Sequence, residues 1–355
     1  MAGKSAAQTV LVTGASGFIA AHVTQQLLRA GYRVRGTVRS LQNEAKVEPL
    51  RKLCPDAKHE LELVEADLLK PDSWKSAVEG CSHVIHVASP FPNAPPKDEN
   101  SVCKPAVEGT TSVFKACEQA GTVKRVVLTS SFATVSGGLG TTPNYHYTEN
   151  DWPDPDKMLP YEKSKLLAEK AGWDYVKNMK GINKFELAVM NPGLVLGPIL
   201  SGTYCTSMEV PKRLMLREMP ALPKIILPIV DVRDVAEAHI RAMTLPEAVG
   251  QRHMLISGSM WMLEMALVLQ KEFKSQGYKI PTLIAPKLAL QIASLFDPTL
   301  KYLIPSLEIV ASFDKKRFTD VLGIKPIKNE DSLIEMAYSM IENGFLPKKP
   351  AYRKP

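Results

Sequence analysis

A tyrosine and a lysine four residues apart, Tyr161 and Lys165, have the types and spacing needed for proton transfer. They lie near the start of a predicted helix reaching about residue 176, so both side chains share one helix face. A nearby ammonium and the positive end of a helix both favour phenolate, which predicts a pKa of Tyr161 lowered from about 10 towards a working general acid or base. Ser131, at the end of a predicted strand, could hold a substrate oxygen.

A glycine-containing turn near the N-terminus indicates what would lie beside these groups. An apolar run over Thr9–Thr13 predicts a buried strand, and the following apolar residues have helical spacing. Gly14 permits a tight turn, and Gly17 lets backbone approach a pyrophosphate that the N-terminus of the helix would hold. The spacing is Gly-x-x-Gly-x-x-Ala, with Ala20 in the third place. The alternative is an ordinary strand–helix turn without a ligand, and the downstream pattern argues against it.

The end of the second predicted strand indicates which dinucleotide would bind. A unit that binds NAD places an acid there, about 20 residues past the glycines, to bond the ribose hydroxyls. This sequence has Arg39 there and no acid before Glu44. A guanidinium can pair with a 2′-phosphate, and Lys46 could be a second phosphate contact. We therefore predict NADP(H), the alternative being that Arg39 is only a solvated charge.

Alternating strand-like and helix-like segments predict an α/β fold, a doubly wound parallel sheet of Rossmann type. Further strands are predicted over residues 32–38, 61–65, 84–88 and 124–129, and a long helix from about 107 to 120. Ligands of such sheets bind beyond the carboxyl ends of the strands. The groups expected along that rim are Gly14, Arg39, Asp67, Ala88 and Ser131. Asp67 could meet adenine or cap the next helix, and His86 is expected to be a core histidine.

The second half predicts a smaller, mostly helical substrate lobe. We expect an NADP-binding domain over residues 1–190, with possible later returns of the chain, a lobe over 191–347 and a loose basic tail over 348–355. Helices are predicted over 262–273 and 332–341, and a strand followed by a helix begins at 229. Asp234 would lie in the first turn of that helix. His239 follows on the same helix and is expected to be packed or exposed rather than catalytic. The lobe and the long loop over 137–160 would close over the nicotinamide.

The composition is that of a globular protein with an ordinary core, since 45% of its 355 residues are hydrophobic and 23% are charged. Forty-four basic against 37 acidic residues give a net charge of +7, which suits anionic cofactors. No basic stripe interleaved with aromatics indicates nucleic acid, and no apolar run approaches a membrane span. Five scattered cysteines lack zinc spacing. We expect free thiols, no metal, a cytoplasmic location, a small-molecule carbonyl or alcohol substrate, and a monomer or homodimer.

Seven segments, in this order, resemble those of an extended short-chain dehydrogenase/reductase, more narrowly the dihydroflavonol reductase and cinnamoyl-CoA reductase group of the NAD-dependent epimerase/dehydratase superfamily. They are residues 12–19, 36–39, 66–68, 86–90, 128–131, 161–165 and 191–198. The resemblance implies that Tyr161 exchanges the proton with the substrate oxygen. It also implies that Lys165 tunes Tyr161 and binds the nicotinamide ribose, and that Ser131 polarises the carbonyl, whereas Ser130 is structural.

The same resemblance implies a cofactor site. Its residues are Gly14, Ser16, Gly17, Phe18, Ile19, Arg39, Lys46, Asp67, Leu68, Val87, Ala88, Ser89, Tyr161, Lys165 and Pro192. Arg39 and Lys46 would hold the 2′-phosphate. Asp67 and Leu68 would flank adenine, and Pro192 would lie beside the nicotinamide.

The sequence departs from the family pattern at three places. Ala20 replaces the usual third glycine, and residues 106–110 read Ala-Val-Glu-Gly-Thr where extended members often carry an asparagine, which argues against a proton relay through that asparagine. No acid pair follows Thr134, which argues against a sugar-nucleotide dehydratase. We predict an NADPH-dependent carbonyl reductase. The alternatives are an NAD(P)-dependent epimerase or hydroxysteroid-type dehydrogenase and, more remotely, a non-enzymatic NADP sensor.

Overall fold

The structure is a computed structural model that describes residues 8–90, 99–138, 142–295 and 303–354. At the centre of the described chain lies a parallel sheet of seven strands, in the order β10-β7-β5-β4-β1-β2-β3. These strands are β1 (Thr9–Thr13), β2 (Arg33–Val38), β3 (Glu62–Glu65), β4 (His83–His86), β5 (Arg125–Thr129), β7 (Glu186–Pro192) and β10 (Arg252–Leu255). The expected doubly wound fold is confirmed.

Helices cover both faces of this sheet, which is why its central strands read as continuous apolar runs. The longer helices of the first half are α1 (Phe18–Arg29), α2 (Glu44–Arg51), α3 (Ser73–Val78), α4 (Asn100–Ala120) and α6 (Pro160–Asn178), with one short helix, α5 (Ala133–Ser136). Helices α3, α4 and α6 pack together on one face, and α1 packs on the other against α8 (Val232–Thr244).

The second half builds a smaller layer and then returns to the large sheet. A three-stranded sheet contains β8 (Leu194–Leu196), β9 (Ile226–Asp231) and β11 (Gly258–Trp261), and the short strands β6 (His146–Tyr147) and β12 (Ser312–Phe313) pair in parallel. The remaining helices are α7 (Glu209–Met215), α9 (Met262–Phe273), α10 (Lys287–Ala293) and α11 (Asn329–Glu342). Because α8 packs on α1 and β10 is an edge strand of the large sheet, residues 232–255 lie with the first half. The division at residue 190 stays a prediction.

Two expectations about the chain path are wrong. Helix α4 begins at Asn100, not near 107, and runs through Pro105 because Val102, Cys103 and Ala106 bury one face of its first turns. The basic tail is mostly exposed but anchored rather than loose, since Tyr352 is half-buried and the Arg353 N–H donates to Gln276 Oε1 at 3.0 Å. Tyr278 donates a hydrogen bond to the carbonyl of Pro347 at 2.8 Å, and Lys348 and Lys354 pair with Glu342 at 3.2 and 3.9 Å.

Helix α9 has the predicted bounds, and α11 extends a few residues beyond its predicted ones. Within the described ranges no helix has both the length and the apolar character to cross a lipid bilayer.

Candidate active site

The glycine turn lies where the strand order reverses, between β1 and β4. Gly14 follows β1 with a φ of +66°, and a side-chain carbon added there would lie 3.1 Å from the Cβ of Ala88, just beyond β4. The Gly14 N–H donates to Thr37 Oγ1 of β2 at 2.9 Å. Glycine is needed here for both the backbone conformation and the space. The turn therefore joins three strand ends at the crevice where sheets of this kind bind ligands.

The N-terminus of α1 is open to an anion. Gly17 precedes the helix in extended conformation, no side chain caps the helix, and its first turn contains no acid. The first-turn N–H groups thus lack a side-chain acceptor, as a pyrophosphate site requires. Ser16 and Ile19 are half-buried at this turn, whereas the Phe18 ring is packed in the core. Phe18 could therefore contribute its backbone N–H but not its ring. The chemistry of this donor set fits a dinucleotide phosphate.

The ends of β1 and β4 are tied together through Thr13 and His86. Thr13 Oγ1 accepts from the N–H groups of Val87 and Ala88 at 3.0 and 2.9 Å, so its own proton goes to His86 Nδ1 at 2.8 Å. Burial, with a smaller contribution from the Lys165 charge, lowers the pKa of His86 to about 3. His86 is a neutral core histidine, as expected.

At the end of β2, Arg39 is exposed, and in the part of the chain that the structure describes it has no ion pair. Lys46 lies in the first turn of α2 and is half-buried. Among the described residues neither cation makes an ion pair, which fits a phosphate ligand, although Glu44 lies in the first turn of α2. Their binding roles stay predictions.

Past β3, the structure separates two interpretations of Asp67. Its Oδ1 accepts from Leu69 N–H at 3.0 Å, so it caps a turn, while α3 begins only at Ser73. The expectation that Asp67 might cap the next helix is therefore wrong, because residues 67–70 form a turn before α3. Leu68 packs over Gly109 of α4, where a Cβ would lie 3.1 Å from the leucine side chain. The glycine of the Ala106–Thr110 segment thus makes room for a predicted adenine contact.

The backbone next to Ser131 is hydrogen-bonded to that of Pro192 at the carboxyl edge of the sheet. Phe132, next to Ser131, donates its N–H to the Pro192 carbonyl at 2.8 Å. Ser131 Oγ accepts from the Ala133 N–H at 3.2 Å and is half-buried, like Tyr161 and Lys165 near the start of α6. Helix α6 packs against α4 and α5, and Ser130, next to Ser131, donates to Glu169 Oε2 of α6 at 2.5 Å, so α6 is tied to the chain just after β5. Ser89 and Val87 are half-buried at the same edge, beyond β4.

The ionisation of the tyrosine and lysine departs from expectation. Burial raises the pKa of Tyr161 to about 12, and the Glu162 carboxylate adds to the shift. Burial also lowers the pKa of Lys165 to about 8, while the Glu169 carboxylate opposes that shift. The predicted lowering of the Tyr161 pKa is thus wrong for this structure, because burial of the phenol and the Glu162 charge both disfavour the phenolate. At neutral pH the tyrosine holds its proton and most of the lysine is charged.

Sequence reasoning missed the charged pair beneath this site, Glu169 and Arg252, whose Oε1 and Nε lie 2.6 Å apart. Glu169 also accepts from the hydroxyls of Ser130 and Thr134 at 2.5 and 2.6 Å. Ser130 is therefore structural, as the resemblance implied. The spacing of Glu169, four residues after Lys165 on the same helix face, was a signal for it. Arg252 had none, since β10 is far away in sequence.

Two residues of the second half are also placed in the fold. His239 is buried, with Nε2 2.7 Å from Thr129 Oγ1 and Nδ1 2.7 Å from the Val235 carbonyl, so the expectation that it is packed rather than catalytic is confirmed. Asp234 accepts from the Ile327 N–H at 2.8 Å, which joins α8 to the approach of α11.

A doubly wound sheet with a glycine turn at its switch point is the architecture of dinucleotide-binding α/β proteins. The model of the NAD dependent epimerase/dehydratase family matches residues 10–257. The chain belongs to this family, and within it the chain is an oxidoreductase of the extended short-chain dehydrogenase/reductase type.

Comparison with known proteins indicates which members of the family the chain resembles. The chain is 38% identical to a dihydroflavonol 4-reductase of Zea mays over 260 residues, 70% of each protein. It is 34% identical to cinnamoyl-CoA reductase 1 of Petunia hybrida over 344 residues, 96% of this chain and 94% of the relative. The structure of Gre2 from Candida albicans in complex with NADPH matches with a TM-score of 0.77 and 30% identity, covering 95% of this chain and 99% of Gre2.

Proposed function

We propose that the chain is an NADPH-dependent carbonyl reductase that converts a ketone or aldehyde to the alcohol. The observation that carries this proposal is the meeting of two independent sets at one edge. Glu169, one turn after Lys165 on α6, accepts from Ser130 beside Ser131, just after β5, and β4 alone separates β5 from β1, which ends at the glycine turn. The proton-transfer groups and the phosphate-binding turn therefore belong to one site.

The chain's own residues would act on the substrate oxygen. Tyr161, protonated at neutral pH, would donate its proton to the carbonyl oxygen, and Ser131 would donate a hydrogen bond to the same oxygen. The Lys165 ammonium would then stabilise the phenolate that remains. Nicotinamide supplies the hydride when NADPH is bound. The phenol must regain a proton before the next turnover.

The preference for NADPH over NADH rests on Arg39 and Lys46. The exposed guanidinium of Arg39 and the half-buried ammonium of Lys46 would hold a 2′-phosphate, which NADH lacks. The solved relative in complex with NADPH supports the same choice.

The substrate class is the broader part of the proposal. Relatives are reductases of a dihydroflavonol and of a cinnamoyl thioester, which differ in the carbonyl that is reduced. The activity that their names share is reduction. We propose that common chemistry here.

The test begins with paired titrations of the purified protein with NADPH and NADH. NADPH oxidation is then followed against aldehydes, diketones, flavanonols and acyl-CoA thioesters. Preferential NADPH binding with turnover of any carbonyl is the expected result. Tight NADH preference would favour an epimerase or a hydroxysteroid-type dehydrogenase, and binding without any turnover would favour a sensor.

A further inference from the structure

We propose that Glu169, clamped by Arg252, is a positioning residue that holds Ser131 in place and sets a negative charge one helical turn from Lys165. This inference rests on the function proposed above for the same site. It assigns a role to a buried ion pair that the proton-transfer chemistry itself does not use.

One carboxylate oxygen joins the strand ends that carry the site. The Glu169 side chain is 0% exposed. Its Oε2 accepts from Ser130 Oγ at 2.5 Å, Thr134 Oγ1 at 2.6 Å and Asn191 Nδ2 at 2.9 Å. Ser130 precedes Ser131 after β5, and Asn191 precedes Pro192 at the end of β7. Glu169 itself lies on the helix of Tyr161 and Lys165, so this single oxygen fixes three elements against one another.

The other oxygen is held by Arg252 Nε at 2.6 Å and by Trp173 Nε1 at 3.3 Å. All five N–H donors of Arg252 are used. The remaining four go to the carbonyls of Glu149, Asp151 and Thr134 and to Thr134 Oγ1, at 2.7–3.0 Å. A guanidinium with no free donor cannot take up a ligand. Arg252 therefore serves as a clamp on Glu169 and on the turn after Ser131.

The charge of Glu169 also acts on Lys165, one helical turn away. On α6, Glu169 lies one turn after Lys165 and Tyr161 one turn before it, and the charge of Lys165 also acts on the neutral His86 ring at the end of β4. Glu169 is thus the anion that opposes the desolvation of the ammonium. Without it the lysine would lose its proton near neutral pH, and the Tyr161 phenolate would lose its neutralising partner.

The direct test is NMR titration of the full-length protein labelled with ¹³Cε-lysine, without cofactor. The Lys165 signal is assigned from its absence in Lys165→Arg. In Glu169→Gln we expect the Lys165 pKa to fall by about one unit or more, the size of an unscreened charge pair at partly buried separation. Glu186→Gln is the matched control. It breaks the ion pair with Arg125, at 2.8 Å, at the opposite end of the same strands, and should leave Lys165 unmoved.

A second variant keeps the test decisive if Glu169→Gln alone does not fold. Glu169→Gln leaves a buried guanidinium without a counter-charge, so Glu169→Gln with Arg252→Met removes both charges at similar volume. It should show the same fall in the Lys165 pKa. Glu169→Asp keeps the charge but shortens the reach to Ser130, so it should retain the Lys165 pKa. An unchanged Lys165 pKa in the folded charge-removing variants overturns the proposal. Loss of the folded state in both variants also counts against it, as a role in folding alone.

Turnover gives an independent readout. Glu169→Gln should lower kcat for carbonyl reduction by roughly tenfold or more at pH 7.5 and leave the Kd for NADPH within about twofold. If the wild-type protein reduces no carbonyl, the proposed function fails while the Lys165 titration still decides this inference. If the wild-type turns over and the Lys165 pKa does not move, only the inference fails.

Discussion

Replacing Arg39 with alanine tests the assignment of the cofactor most directly. Arg39 is exposed at the end of β2 and, among the described residues, makes no ion pair. Its removal therefore breaks nothing that holds the fold, and any loss of affinity reports on the ligand. Most surface substitutions of this kind change stability by less than about 0.5 kcal/mol.

The expected size follows from the contact. A hydrogen-bonded charge pair contributes about 1.5–3 kcal/mol, and the exposure of Arg39 places this site at the lower end. Since about 1.4 kcal/mol is a factor of ten, the Kd for NADPH should rise about 10- to 30-fold. NADH carries no 2′-phosphate, so its Kd should change by less than about twofold. The NADPH effect should shrink with salt, because an exposed pair is screened.

The assay is fluorescence titration with both nucleotides at two salt concentrations. Arg33→Ala is the control, since Arg33 is an exposed arginine at the opposite end of the same strand. It changes the net charge equally but lies away from the carboxyl edge of the sheet. Equal weakening of NADPH and NADH by Arg39→Ala, or equal effects of the two variants, would refute the reasoning.

Three further predictions concern the proton-transfer groups and the glycine turn. Tyr161→Phe should keep NADPH affinity and lower kcat by roughly two orders of magnitude or more, and near-normal turnover would remove Tyr161 from the mechanism. For the wild-type protein, kcat for reduction should fall as pH rises through about 8, where the Lys165 ammonium is lost, and a flat profile to high pH would contradict that role. Gly14→Ala should lower the free energy of unfolding by about 1–2 kcal/mol, since its φ is +66°, and should weaken NADPH further because the added carbon meets Ala88. Urea denaturation and titration measure both effects, and unchanged binding would place the nucleotide elsewhere.

The first half of the fold could be predicted because its signals are local. Buried parallel strands read as apolar runs, so each predicted strand lies within about two residues of an observed one. The second half was harder for a physical reason. Strand β10 is short, and it belongs to the large sheet only because it pairs with β7. No local sequence pattern predicts that pairing.

The tail illustrates the same limit. Lys348 and Lys354 read as a solvated basic end, but the chain beside them packs through Tyr278 and Glu342. Charge content predicts exposure of the side-chain tips and not of the backbone that carries them. Candidate site residues could be proposed from sequence, since they follow strand ends or share one helix face. The pairing of Glu169 with Arg252 could be found only from the tertiary structure.

The direction of the Tyr161 shift shows why ionisation could not be predicted from spacing. The sequence places a lysine one turn from the tyrosine, which by itself favours phenolate. Folding also buries both groups, and burial disfavours both charged forms, so the pKa of Tyr161 rises to about 12 and that of Lys165 falls to about 8. Both shifts favour the uncharged forms of the two groups. The tyrosine keeps the proton that a carbonyl oxygen needs, and the lysine is the group that limits the reaction as pH rises. Oxidation of an alcohol would start from the phenolate, which the free protein holds only as a minor form at neutral pH.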